Sequence, residues 1–455
     1  MELSYGIISI VPVIFLIVVA LTTKRTFESL LLATLLALVI GYKGDWFLAF
    51  IDQLQTVAAE NIWVLLVVGL LGGLMTNLER SRAALGFSGL VSKFATTKKR
   101  SLFAEWVLSV LLFVDDYMNI MTTASIMKRL NDKHRIHRTL TAYLIGSTSA
   151  PVVVLIPLTS WSIYYISLIG QTDAVPEGGT AFGVYLQAIP YMFYPIFCLL
   201  VLILVIAGIV PLFGPIRRYQ RQAEETGQLF PDGTEPPEEI VEERDPNAKD
   251  GGVLDFVLPI AVLLAATIFF DTDVLAGVVV ALVFTCVLYL IRKLSKLSDF
   301  FDNIWEGFSS MMSVLALLVI AFLFKSSCES LGMSDYIITT VAPLMSNKIL
   351  PFVIFLVSTV MTFALANAWG VTAIMVPLVV PLAQAIDASL PLTIASIFSG
   401  SVFGTQLCFY SDNAVLIAQS TNISPLDHVK TQMPFALCAG ALACVVYLVY
   451  GFVFL

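Results

Sequence analysis

Two aspartates, Asp115 and Asp116, stand side by side in LLFVDDYMNIM at residues 111–121, inside a run that is otherwise largely apolar. A carboxylate at the centre of a membrane helix costs roughly 2.5–3.5 kcal/mol on insertion scales. Two adjacent carboxylates also repel each other while both are ionised. A chain carries such a pair where a cation or a proton neutralises it, so the expected chemistry is hard-cation binding in competition with protons. Sodium needs several oxygen ligands. Three further apolar stretches are interrupted by residues that supply them: GSTSAPVVVLIPLTSW (146–161), ALANAWGVTAIMVPLVVP (364–381) and GTQLCFYSDNAV (404–415). Irregular backbone survives at membrane depth only where protein buries it or water reaches it, so these places should converge on one site.

Carboxylates, amides and hydroxyls nominate Asp115, Asp116, Asn119, Ser147, Thr148, Asn367, Ser411, Asp412 and Asn413 as ion-binding, with Asp115, Asp116 and Asp412 as the carboxylates for Na+. Thr159, Trp161, Trp369, Thr405, Gln406, Phe409 and Tyr410 flank the interruptions and are candidates to touch a transported solute. Tyr117 and Ser149 lie in the same stretches. His134, His137 and His428 read as surface residues and Glu105 as interfacial. The acidic pair is therefore expected to serve transport and not catalysis: no nucleotide loop, metal cluster or catalytic triad sits in any loop long enough to fold.

The elements that must position these residues follow from composition. Of 455 residues 58% are hydrophobic and 13% charged, against about 25% charged in an ordinary soluble domain, so the solvent is a lipid bilayer. A net charge of −8 says little about nucleic acid, and without a basic stripe no such partner is expected. The six cysteines are scattered singly and suggest neither zinc nor a redox pair. The first apolar run lacks a basic n-region and reads as a retained helix.

Runs able to cross about 30 Å of hydrocarbon fall near 5–22, 27–42, 59–77, 187–214, 253–270, 274–291, 310–326 and 434–453. Basic residues flank 101–127 on both sides, which one crossing would split across the membrane. A re-entrant hairpin there, and another from the opposite face at 350–386, places 22 of the 25 Lys and Arg in the cytoplasm and the N-terminus outside, leaving Lys43, Lys325 and Lys348 external. The expected fold is an all-α membrane protein with about ten transmembrane helices, two re-entrant hairpins and two broken helices. Residues 1–214 form a first repeat (hairpin 101–127, broken helix 139–170), and 253–455 a second of opposite topology (hairpin 350–386, broken helix 391–420). Residues 215–252 join them as an acidic cytoplasmic linker. Inverted repeats with discontinuous elements at the midplane are the usual construction of secondary transporters. A channel with the same buried carboxylates is the rival arrangement.

With FVDDYMN, LNDKHRIHRTLTAYLIGSTSAPV, ANAWGVTAIMVP and YSDNAVLIAQSTNISPLDHVKTQMPFAL in place, the chain resembles the NhaC-type family of Na+/H+ antiporters, within the ion transporter superfamily. The resemblance covers most of the chain. It implies a scaffold domain, a mobile domain carrying hairpins and broken helices, antiport with Na+ as the coupling ion and no other cofactor, a bacterial or archaeal plasma (inner) membrane, and assembly as a homodimer. The sequence departs from the family at two places. Gly146 stands where the family carries Asp before Ser-Thr. Gly404, Thr405, Gln406, Leu407, Cys408 and Phe409 replace Gly-Asp-His-Cys-Ser-Pro. These departures keep a second expectation open: a Na+- or H+-coupled carrier of a small organic solute, an amino acid or carboxylate.

Overall fold

The computed structural model describes residues 5–23, 25–232, 251–270, 273–336, 339 and 345–454. Residues 233–250, nearly half of the expected linker, lie outside the described residues. The first half contains α1 (Val11–Thr23), α2 (Thr26–Tyr42), α3 (Trp46–Glu60), α4 (Ile62–Arg80), α5 (Phe87–Phe94), α6 (Lys98–Leu111), α7 (Asp116–Lys133), α8 (Arg138–Leu155), α9 (Ser160–Gly170), α10 (Ala181–Ala188) and α11 (Phe193–Ala207). After α12 (Pro215–Thr226) come α13 (Val253–Phe269), α14 (Val274–Arg292), α15 (Leu297–Ser310), α16 (Met312–Glu329), α17 (Met333–Tyr336), α18 (Leu350–Leu365), α19 (Ala368–Ala385), α20 (Leu390–Leu407), α21 (Asp412–Thr421) and α22 (Pro425–Val453). Every regular element among the described residues is helical.

The fold is that of an all-helical membrane protein. Six described helices are long and apolar enough to cross a bilayer, or eight when each of two bent pairs counts as one span. The bends are 41° between α8 and α9, and 47° where α10 and the short turn after it meet α11. Shorter apolar helices, α13 and α18 among them, add to these. Their unbroken apolar surface is what lipid selects, because the helix satisfies its own backbone.

The two halves keep step. Lys98 and Leu350, Asp116 and Ala368, Arg138 and Leu390, and Ser160 and Asp412 open corresponding helices, each pair 252 residues apart. Contacts are reciprocal too: α4 packs on α14 and α15 while α16 packs on α2 and α3, and α7 meets α21 while α19 meets α9. The sequence reading missed α3 and its counterpart α15. Both are amphipathic and lie against α16 and α4, so neither shows the continuous apolar run of a simple span. At the α4–α15 crossing a Cβ on Gly307 would overlap the Gly72 carbonyl, and only glycines permit that approach.

The structure places the first break and the start of the linker more closely. Helix α8 runs unbroken through Gly146–Pro151, and its interruption falls later, at 156–159. Proline inside the helix removes one donor without ending it. The linker region is also not featureless where described, since α12 packs on α8 and α22.

Candidate functional site

Helices α6 and α7 turn back on each other at 112–115, and Asp115 is the residue that starts α7. Its Oδ1 accepts the backbone N–H of Tyr117 at 3.0 Å and of Met118 at 3.1 Å. Its Oδ2 accepts the Ser160 hydroxyl at 2.8 Å. This cap satisfies donors the helix leaves bare. The second half repeats the device with Asn367, whose side chain accepts Gly370 N–H at 3.0 Å.

Asp116 is different. It is fully buried in the first turn of α7, and neither carboxyl oxygen has a hydrogen-bond partner. The Asn413 amide and the Trp161 indole face it without closing to full hydrogen bonds, and Asp115 and Asp412 are its charged neighbours. The helix dipole favours an anion here, but a buried carboxylate left unpaired is costly. One proton or one cation would neutralise it.

Reciprocal contacts bring the breaks to the tips. Thr159 caps α9 by accepting Ser162 N–H at 3.0 Å and donates to Val153 O at 2.8 Å. Ser411 caps α21 through Ala414 N–H at 3.3 Å. The Tyr117 hydroxyl donates to Asp412 Oδ2 at 2.5 Å, tying the first hairpin tip to the second broken helix. Asp412 itself is exposed, which corrects its reading as a buried carboxylate. A cavity at this junction is walled by Val68, Leu71 and Met75 of α4 on one side and by Asp115, Ser160 and Trp369 on the other. Trp369 also packs on Trp161 at 5.1 Å and Tyr164 at 4.8 Å, and its carbonyl accepts the Tyr164 hydroxyl at 2.7 Å.

A second cavity lies among α8, α20, α21 and α22, lined by Gly146, Ser149, Thr405, Gln406, Asn413, His428 and Gln432. Gln406 is its hub. Gln406 Nε2 donates to Gly146 O at 3.1 Å, its Oε1 accepts the Tyr194 hydroxyl at 2.9 Å, and its carbonyl accepts Gln432 Nε2 at 3.1 Å. A Cβ at Gly146 would overlap Gln432 Oε1 and lie 3.0 Å from His428 Cε1, so α22 fills the space a side chain at 146 would take.

Other nominated residues are placed elsewhere. Asn119 staples the hairpin arms, accepting Ser109 Oγ and donating to Ser109 O, both at 2.6 Å. Thr148 bonds back to Leu144 O at 2.8 Å, inside its own helix. The Ser147 carbonyl, freed by Pro151, meets the Cys198 thiol at 3.6 Å. Phe409 is exposed, the Tyr410 hydroxyl donates to Phe363 O at 2.9 Å, and neither lines either of these two cavities. His137 and His428 are buried, not surface residues. Glu105 is buried as well, held by Asn131 Nδ2 at 2.6 Å between the hairpin arms. The overlooked signal for His428 and Gln432 was their spacing of four, which sets both on one face of α22.

A model of the Na+/H+ antiporter family matches residues 152–452. An uncharacterized protein of Haemophilus influenzae is 23% identical over 503 residues, covering 100% of this chain and 92% of that one. The crystal structure of the YdaH transporter of Alcanivorax borkumensis superposes with a TM-score of 0.63 at 12% identity, over 94% of this chain and 98% of that one. MtrF of Neisseria gonorrhoeae, described as illuminating a class of antimetabolite efflux pumps, matches with a TM-score of 0.56 at 11% identity, over 90% and 84%.

Proposed function

Because the chain belongs to the Na+/H+ antiporter family, we propose that this secondary transporter exchanges Na+ for protons by alternating access, with Asp116 taking the two in turn. One observation carries the reading: Asp116 is buried with both oxygens unpartnered where the first hairpin tip meets both broken helices. A carboxylate there is neutralised by one proton or one Na+, and mutual exclusion at one group is what couples opposing fluxes. Asp115, engaged in three hydrogen bonds, positions the tip and adds negative potential. Hairpins and broken helices move as a unit against α2–α4 and α14–α16. The distribution of Lys and Arg supports a plasma-membrane orientation with the N-terminus outside.

The test is a sodium pulse to proteoliposomes that contain a pH dye and no organic solute. Wild-type protein should change the lumenal pH, and Asp116→Asn should fall to the protein-free background while still eluting as a folded species. A wild-type response that appears only after an amino acid or carboxylate is added would overturn exchange with protons.

That outcome would favour the second reading, transport of a small organic solute. The observation behind it is the cavity at Asp115, where Trp369 and the apolar wall of α4 stand beside a polar end; its room here is that of about one water-sized body, so a carbon skeleton would enter only as the site opens. The uncharged Gly146, Thr405 and Gln406 are in keeping with it, and so is the kind of cargo for which MtrF is described. Trp369→Ala would then weaken solute binding.

A further inference from the structure

We propose that the second cavity, among α8, α20, α21 and α22, is a second position for Na+, built from uncharged oxygens and joined to the Asp116 site through the Asn413 side chain. Four residues lining this cavity leave a buried polar atom without a partner: Ser149 Oγ, Asn413 Oδ1, His428 Nδ1 and Gln432 Oε1. All four residues are at least nine-tenths buried. A buried polar atom left without a partner is costly, so four on the residues that line one void call for an occupant.

Its chemistry follows from the atoms. Two of the four are amide oxygens, which only accept, and the Ser149 hydroxyl can accept. No Lys, Arg, Asp or Glu lines the cavity, so an anion finds no counter-charge. The room is that of about one water-sized body, which excludes an amino acid or carboxylate in this conformation. A dehydrated monovalent cation fits both the size and the acceptors. Asn413 sets the polarity. Its amide faces the Asp116 carboxylate, so its Oδ1 is the end turned away, left bare and made more negative by that neighbour. Glycine at 146 keeps the void open, since a Cβ there would overlap Gln432 Oε1.

The inference takes the identity of the ion from the proposed function, and its test separates the two. Equilibrium binding of radioactive sodium to the purified full chain in detergent should saturate at two ions per chain. Asp116→Asn should leave one. Ser149→Ala, which breaks no hydrogen bond with a protein partner, should weaken the other by about tenfold while sparing the Asp116-dependent one. Gly146→Ala, which intrudes on the same void from α8, should do likewise. One ion per chain, lost in Asp116→Asn and unmoved by Ser149→Ala and Gly146→Ala, would mean that the cavity holds water only; it would overturn the second position and leave the exchange reading standing. No saturable sodium binding at all would overturn both.

Discussion

The two hairpin tips are built alike and charged differently. Asp115 and Asn367 occupy matching positions, each accepting backbone N–H groups at the start of the returning helix. One residue later the halves part: Asp116 is an unpartnered carboxylate, and its counterpart is Ala368. At the breaks the pattern reverses. Thr159 and Ser411 both cap, but the following residue is Ser160 in the first half and Asp412 in the second. Capping is a need of any helix that ends inside protein, so both copies of the repeat keep it. Charge is a functional cost, so each kind of element carries it in one copy only.

That comparison is broken or sharpened most severely by exchanging amide for acid at the tip. Asp116→Asn should reduce sodium-driven pH change to background and leave the melting temperature equal or higher, because it removes a buried, unpaired charge. Asp115→Asn restores the residue found at Asn367 and should retain the cap and measurable exchange. Equal loss in both variants would show that the two aspartates act as one unit.

A smaller effect distinguishes the entries to the broken helices. His137 accepts Thr139 N–H at 3.2 Å before α8, whereas the matching Ser389 makes no side-chain cap before α20. His137 lies in the loop after α7, stacked on Tyr219 at 4.9 Å with Nε2 unpartnered, and burial pushes its imidazole down to about 4. Below the ordinary value near 6.5 the unfolded chain takes a proton that the folded one refuses. Stability should therefore be full above about pH 6.5 and fall as pH drops toward 4, by up to roughly 3 kcal/mol. Thermal melts across that window should show the slope, and His137→Gln should flatten it.

The smallest effect compares the caps directly. Asp115→Ala loses three hydrogen bonds and should cost about 2 kcal/mol, while Asn367→Ala loses one and should cost about 1 kcal/mol. Chemical denaturation in detergent would rank them, and a reversed order would show that the second tip bears more of the packing.

Much of this protein was legible in its residues taken in order. Apolar run length and the scarcity of charge dictated helices in a bilayer, since no other element satisfies its backbone there without closing a barrel. Two carboxylates amid apolar neighbours marked the tip, and Pro, Gly and hydroxyl residues marked the stretches that carry breaks. What only the tertiary structure decided is which polar groups find partners. Asp115 and Asp116 are indistinguishable as residue types, yet one is spent on a helix start and the other is left bare. The break in the first long helix falls at 156–159, within the stretch 146–161, and the helix runs on through Pro151, where the Cys198 thiol from α11 meets the freed carbonyl. His428 and Gln432, read as ordinary residues of the last helix, reach a cavity only because α22 crosses α8 opposite Gly146. Local sequence sets which groups want hydrogen bonds. Which of them go unanswered depends on neighbours hundreds of residues away.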